Sequence, residues 1–481
     1  MNASAHEAEE SLFDRNDEQP AVNFNYNLSD KMIDLDSLNT LVTAAKKLDA
    51  GFSYLPAFDP QTPSAASMEK ILTELAARLQ DNYPYFHPLY AGQMLKPPHP
   101  VARLAYALAM FINPNNHALD GGRATSALEK EAVAEIAAMF GWQNFLGHLT
   151  GGGTMANLEA LWVAGQLAPG KKIAASEQAH YTHHRVSSVL QLNFESIPVD
   201  AHARMDLNAL ETRLAAKNDI GTVVVTMGTT ATGSVDPLPE ILKLRDRYNF
   251  RIHADAAYGG YFTLAQNLGP HATAAFAKIS AADSIVIDPH KHGLQPYGCG
   301  CVLFRDPNVG RLYKHDSPYT YFSSAELHLG EISLECSRPG AAPAALWATQ
   351  KLLPLTHNGE FAQDLQKGTD TALAFYKKLK AGDKFIPGFE PELDIVIFVP
   401  KPKSDSASLT EISTESRRIF EAAATKNLHL ALAELPVAFF QNLPCSIRRD
   451  KPTVTALRSV LMKPEHSQWL DQIHEILLSV W

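Results

Sequence analysis

The sequence has little of what would send a protein to a membrane, to the cell exterior or to a nucleic acid. No apolar run reaches the roughly 18 consecutive residues that a membrane-crossing helix needs. The opening stretch, MNASAHEAEESLFDRNDEQ, is polar and acidic where a secretory signal is basic and then apolar, so it reads as a disordered leader. The expected location is the cytoplasm. Lys and Arg number 42 against 52 Asp and Glu, a formal net charge of -10. That balance argues against a surface that neutralises nucleic-acid phosphates. Cysteine is scarce, with Cys299, Cys301, Cys336 and Cys445 the four in the chain. One residue separates Cys299 from Cys301, which is not the spacing of a zinc site, so free buried thiols and no metal are expected.

What is present is a period that switches back and forth. KIAAS, TVVVTM, RIHAD, SIVID and CVLF are short apolar runs separated by helix-length stretches. Continuous apolar strands alternating with helices belong to a mostly parallel sheet covered on both faces. LEKEAVAEIAAMFG carries Val133, Ile136 and Phe140 on one helical face, with Gly141 as its stop. In DPLPEILKLRDRY, Asp236 is read as the helix cap and Pro237 as its first residue. Helices broken by GFSYLPAFDP come first, and the strand Ile395 to Val399 with two later helices forms a smaller α+β unit. The expected organisation is an N-terminal segment over 1–97, a large domain over 98–355 and a small domain over 356–481.

In such sheets ligands bind beyond the carboxyl ends of the strands. Thr226, Asp255 and Asp288 all fall at or near such ends. GHLTGGGTMANLEALW feeds three glycines into Thr154 and a helix, a place where backbone N–H groups can converge on an anion. Asp255, beside small Ala256 and Ala257, can hold a ring nitrogen protonated. Lys291, between His290 and His292, can attack a carbonyl carbon if its amine is neutral. Each residue alone has an ordinary alternative: a plain turn, a cap, a solvated lysine. Together they are the three groups that pyridoxal 5'-phosphate requires. His180 can stack on its ring, and Thr229 can hydrogen-bond near it.

The motifs TGGGTMAN, ASEQAHYTHH, GTTATGSVDP, HADAAYGG and DSIVIDPHKHGLQPYGCGCVLF resemble, in order and spacing, the pyridoxal-phosphate-dependent group II amino-acid decarboxylases. NPNNHALDGGRATSALEKEAV and ISLECSRPGAAPAALWATQ look most like the bacterial tyrosine decarboxylase and aspartate decarboxylase branch. The resemblance implies a fold type I, aspartate-aminotransferase-like α/β subunit working as a homodimer. It assigns Lys291 to covalent cofactor attachment, Asp255 to the ring nitrogen, and Ala257 and His180 to the two ring faces. Gly153, Thr154 and His290 match phosphate-side residues, and Thr229 and Asp288 match positions near the ring and the lysine.

Two parts stay open. Animal and plant aromatic decarboxylases of the family carry a mobile loop with a catalytic tyrosine before the SR segment. Here that stretch is compact, which leaves His180, Tyr319 or Tyr321 as the proton source. PYFHPLYAG resembles the family stretch that lines the substrate side chain, which makes His87, Pro88 and Tyr90 candidates; an aromatic amino acid would fit Tyr90 and Phe86, whereas an acidic one would call on Arg123 or Arg338. Decarboxylation of a tyrosine-like amino acid is the expectation, with an acidic amino acid next. An aldehyde synthase or carbon-carbon lyase, an inactive binding protein of the same fold, and a nucleotide-binding enzyme complete the alternatives.

Overall fold

The computed structural model describes residues 35–117, 119–314, 332–404 and 406–481. Its larger sheet has seven strands: β1 Leu146–Thr150, β2 Lys172–Ser176, β3 Phe194–Ile197, β4 Ile220–Thr226, β5 Arg251–Asp255, β6 Ser284–Ile287 and β7 Gly300–Phe304. Their spatial order is β1-β7-β6-β5-β4-β2-β3. The run from β3 to β6 is parallel, and β7 is antiparallel to both β6 and β1. Six strands therefore point one way, and the mostly parallel sheet expected from the sequence is the one observed.

Neighbouring residues of the central strands serve opposite faces, as strand geometry demands. Val223 and Val225 of β4, with Ile285 and Ile287 of β6, join the main core around Ile136 and Phe140. Val224 and Val286, between them, pack on the other side against helix Gly153–Leu167. That helix presents Ala156, Ala160 and Ala164 among its buried residues, so it can lie close to the sheet.

Asp236 corrects one expectation. It does not cap helix Leu238–Tyr248, whose N-cap is Pro237. Its carboxylate is fully buried and accepts the N–H groups of Met205 at 2.7 Å and Thr226 at 2.8 Å. Tertiary donors thus displace the local one that the sequence suggests.

The second sheet is antiparallel throughout, in the order β10-β11-β9-β8, from β8 Phe385–Pro387, β9 Ile395–Pro400, β10 Ala431–Pro436 and β11 Thr453–Val460. Helices Glu360–Ala381, Leu409–Ala424 and His466–Val480 cover it through Phe375, Ile419, Ile473 and Leu477. Ser408 and Glu411 close the start of the middle helix as a reciprocal capping box. Ahead of the large sheet, helices Leu35–Ala50 and Ala65–Leu79 bury none of their residues.

Candidate active site

Because six strands share a direction, their carboxyl ends open on one edge of the sheet. A cavity of about 550 Å³ lies there. β1 ends at Thr150 and runs through Gly151 and Gly152 into helix Gly153–Leu167. Gly152 holds φ at +146°, which a side chain disfavours, and a Cβ on Gly153 would stand 2.6 Å from Oδ2 of Asp288. The glycines let this turn lie directly against the loop that carries Lys291. No side chain among the described residues caps the helix, which leaves its first N–H groups and the positive end of its dipole facing the cavity.

β5 delivers Asp255, and the turn after β6 delivers Asp288, His290 and Lys291. Lys291 Nζ lies 3.0 Å from Asp288 Oδ2. Asp255 is buried, with Oδ1 accepting the Ala257 N–H at 3.2 Å and Oδ2 lying 2.7 Å from Nε2 of buried His183. Burial alone would raise the Asp255 pKa. The hydrogen bond from His183 and the positive charge around it outweigh burial and hold the carboxyl below the usual carboxylate range. His183 Nδ1 has no partner among the described residues, which places the shared proton on Nε2.

His180 Nδ1 accepts the Thr182 N–H at 3.2 Å, so the neutral ring carries its proton on Nε2. Burial, with help from Lys291 and His183, lowers its pKa against the opposing pull of Asp255. His290 donates from Nδ1 to the Cys299 carbonyl at 2.8 Å, and burial lowers its pKa as well.

Lys291, Asp255, His180, Gly153, Thr154, Ala257, Asp288 and His290 all line this one cavity. Thr229 does not. It is buried in its own turn, bonded to Thr232 at 2.7 Å and to the Ser234 N–H at 3.1 Å, and Gly228 and Thr230 form the wall instead. His87 and Tyr90 are also elsewhere. Leu89 and Ala91 exchange backbone hydrogen bonds with His429, which ties this stretch to the small-sheet side of the molecule. His87 then packs edge-on against Trp469, and Tyr90, 5% exposed, against Tyr85.

Arg338 is buried on Glu129 at 2.6 Å and on the Leu149 carbonyl at 2.8 Å, beside the cavity rather than in its wall. Arg123 is exposed, and Tyr319 and Tyr321 lie outside the described residues. The structure places Thr226 in the lining as well, and adds Asn157, Thr182, Tyr297 and Glu335 to it, with His183 behind it. The three-residue spacing of His180 and His183 at a helix start was the available signal for His183.

The donor set fits pyridoxal phosphate. The glycine-led start of helix Gly153–Leu167 suits its phosphate, a buried ionised carboxylate suits its ring nitrogen, and an amine suits its aldehyde. Thr226 Oγ1 lines the same cavity, is buried and lacks a partner among the described residues, as a hydroxyl awaiting a ligand would.

Comparison with known proteins agrees. The model of the pyridoxal-dependent decarboxylase conserved domain matches residues 166–401. An L-tyrosine decarboxylase of Enterococcus faecium is 26% identical, over 82% of this chain and 85% of its own length. A protein of Methanothermobacter thermautotrophicus named "Probable L-tyrosine/L-aspartate decarboxylase" is 29% identical, over 64% and 82%. Among solved structures, Catharanthus roseus tryptophan decarboxylase in complex with L-tryptophan superposes with a TM-score of 0.70 at 15% identity, over 93% of this chain and 100% of that one. Rhodiola rosea 4-hydroxyphenylacetaldehyde synthase does so with 0.72 at 17%, over 93% and 97%, so the fold alone does not separate the two outcomes. The fold, the cavity chemistry and the sequence match converge on one assignment: the chain carries the pyridoxal-dependent decarboxylase conserved domain over residues 166–401 and is a carboxy-lyase that uses pyridoxal 5'-phosphate.

Proposed function

We propose that the enzyme decarboxylates an aromatic L-amino acid, tyrosine first, to the amine and carbon dioxide. The charge of the cavity wall carries this choice. Among its described residues Lys291 is the one Lys or Arg, against Asp255, Asp288 and Glu335. A second carboxylate on the substrate would enter without a cation to meet it, and an unpaired buried charge is costly. Arg338, the cation that an acidic substrate would call on, is already engaged by Glu129. The relatives named tyrosine decarboxylases point the same way. Those named for tyrosine and aspartate together keep an acidic substrate as the second reading.

In this reading Lys291 holds the cofactor covalently, and the glycine turn, Thr154 and His290 receive the phosphate. Bound there, pyridoxal phosphate supplies a conjugated sink for the electron pair that the departing carboxylate leaves behind. Asp255 keeps the ring nitrogen protonated, and His183 keeps Asp255 ionised and oriented. The Nε2–H of His180 is the first candidate for the proton delivered to the substrate α-carbon, ahead of Tyr319 and Tyr321.

The working unit in this reading is a homodimer. Helix Ala65–Leu79 carries Met68, Ile71, Leu72, Leu75 and Leu79 along one stripe, all exposed. A stripe of that period is the pattern of a helix that buries a face, and a second copy of the chain is the partner proposed. No helix among the described residues is long and apolar enough to cross a membrane, and the cytoplasm is the proposed location.

A panel of L-amino acids, read by carbon dioxide release and by identification of the amine, tests the substrate class. Tyrosine or another aromatic amino acid should give the highest kcat/KM. Aspartate above every aromatic would replace the reading, and an aldehyde in place of the amine would reassign the reaction. Sedimentation should give twice the mass of one chain, and a fully active monomer would remove the dimer.

A further inference from the structure

The small sheet touches the cavity from behind, and one carboxylate makes the contact. Asp394, 1% exposed, sits at the start of β9. Its Oδ1 accepts the hydroxyl of Tyr258, which follows Asp255 closely in sequence and itself lines the cavity. Its Oδ2 lies 3.3 Å from Nε2 of His292, the residue directly after Lys291 and equally buried. One side chain from the small sheet thus meets both segments assigned to the cofactor.

The backbone around Asp394 is built for close approach. A Cβ on Gly228, where φ is +110°, would lie 2.9 Å from Leu393 Cδ1, and one on Gly259 would lie 3.2 Å from the same atom and far too close to the Met227 carbonyl. Residue 393 therefore presses directly on the turns that follow β4 and β5. Arg458 of β11 does the same work nearby, donating to the carbonyls of Thr230 at 2.6 Å, Ala231 at 3.1 Å and Gly92 at 3.0 Å. Thr230 is again a cavity residue.

We propose that Asp394 is a positioning residue that fixes the spacing between the Asp255 segment and the Lys291 loop, so that the cavity's carboxylate and amine meet opposite ends of one cofactor. The charged and titratable groups facing it are Tyr258, His292, Lys96 and Arg458. Burial pushes the Asp394 carboxyl up to about 6 against the hydrogen bond from Tyr258 and the charges of Lys96 and Arg458, and burial lowers the pKa of His292 as well. Loss of the carboxylate removes the group facing His292 in the Lys291 loop and leaves the hydroxyl of Tyr258, a residue of the cavity wall, without its acceptor. The proposal rests on the assignment of Lys291 and Asp255 to the cofactor.

Asp394→Ala and Asp394→Asn, purified with pyridoxal phosphate, test it through four readouts. These are cofactor dissociation, the pH titration of the absorbance of Lys291-bound cofactor, kcat with KM, and Tm. Asn still accepts a hydrogen bond from Tyr258 but puts an amide where the second carboxylate oxygen faces His292. The alanine variant should lose about a hundredfold in kcat, the scale on which misplacement of reacting groups acts. It should also release cofactor faster and shift the titration, with asparagine in between. A lower Tm with wild-type titration, cofactor retention and kcat makes Asp394 plain packing and overturns the proposal. If the alanine variant does not fold, the asparagine variant decides by the same criteria. Failure of the underlying assignment shows separately, as full turnover and cofactor labelling in Lys291→Ala, whatever Asp394 does.

Discussion

Asp255 at the end of β5 and Asp236 in the connection after β4 are both buried carboxylates, and they behave in opposite ways. Thr226, the last residue of β4, pairs with Asp255 across the sheet and donates its N–H to Asp236. Asp236 directs both oxygens at backbone N–H groups, and burial still pushes its pKa up to about 7. Asp255 meets one backbone N–H and one imidazole, and its pKa falls despite the same burial. Peptide donors stabilise an anion as dipoles, whereas an imidazole brings a whole charge when protonated. The partner, not the depth of burial, decides whether a carboxylate is held as a ready charge or kept as a neutral brace.

The pH consequences differ in sign. The depressed pKa of Asp255 contributes stability that is present above the unfolded carboxylate pKa, near ~3.9, and is lost as pH falls below it. The raised pKa of Asp236 contributes stability that is complete below that value and is lost as pH rises through about 7.

The strongest break in the comparison is Asp255→Ala. It removes the charge opposite the ring nitrogen, and kcat should fall by about a hundredfold or more, as when a preorganised electrostatic partner is deleted. Turnover at the wild-type rate in the folded variant would take Asp255 out of the chemistry.

A sharper test converts one carboxylate toward the other. In His183→Leu, Asp255 keeps its burial and its Ala257 N–H but loses the imidazole, so its pKa should rise toward that of Asp236. Cofactor binding should weaken, and the acid side of the activity profile should move to higher pH. His183→Gln restores a donor without a full charge and should recover part of the affinity. The loss of one buried hydrogen bond sets the scale at about 1–3 kcal/mol. An unchanged pH profile in the leucine variant would show that His183 does not govern Asp255.

The same contrast separates what the sequence reveals from what it hides. Lys291 and Asp255 are legible because each ends or follows a short apolar run, Gly153 because three consecutive glycines lead into a helix, and the strand period locates the edge where the first two gather. The single reversed strand, β7, is not legible, because direction depends on how the chain returns and CVLF reads alike both ways. β1 escapes notice because Gly147 and His148 interrupt its apolar pattern. His183 and Asp394 stay hidden for a deeper reason: their partners Asp255 and Tyr258 are 72 and 136 residues away, and no local pattern encodes the pairing. Asp236 misleads because aspartate before proline and a helical stripe is the local signature of a cap, and two distant N–H groups outcompete it. Tyr90 misleads in the same manner, since the stretch around it closes on His429 rather than on the cavity.

The smallest effect on chemistry is expected from Asp236→Asn, and it completes the comparison. The amide keeps one acceptor and turns a donor toward either Met205 or Thr226, leaving a buried N–H unpaired. Unfolding free energy should drop by about 1–3 kcal/mol in weakly acidic solution. From about pH 4 to about pH 7 the gap to wild type should narrow, because the wild-type carboxylate loses its advantage through that window and the amide has no proton to lose. Turnover by the folded variant and the absorbance of its Lys291-bound cofactor should stay near wild type. A gap in denaturation midpoints that widens with pH would mean that Asp236 is held ionised like Asp255. The imidazole would then not be what distinguishes the two carboxylates.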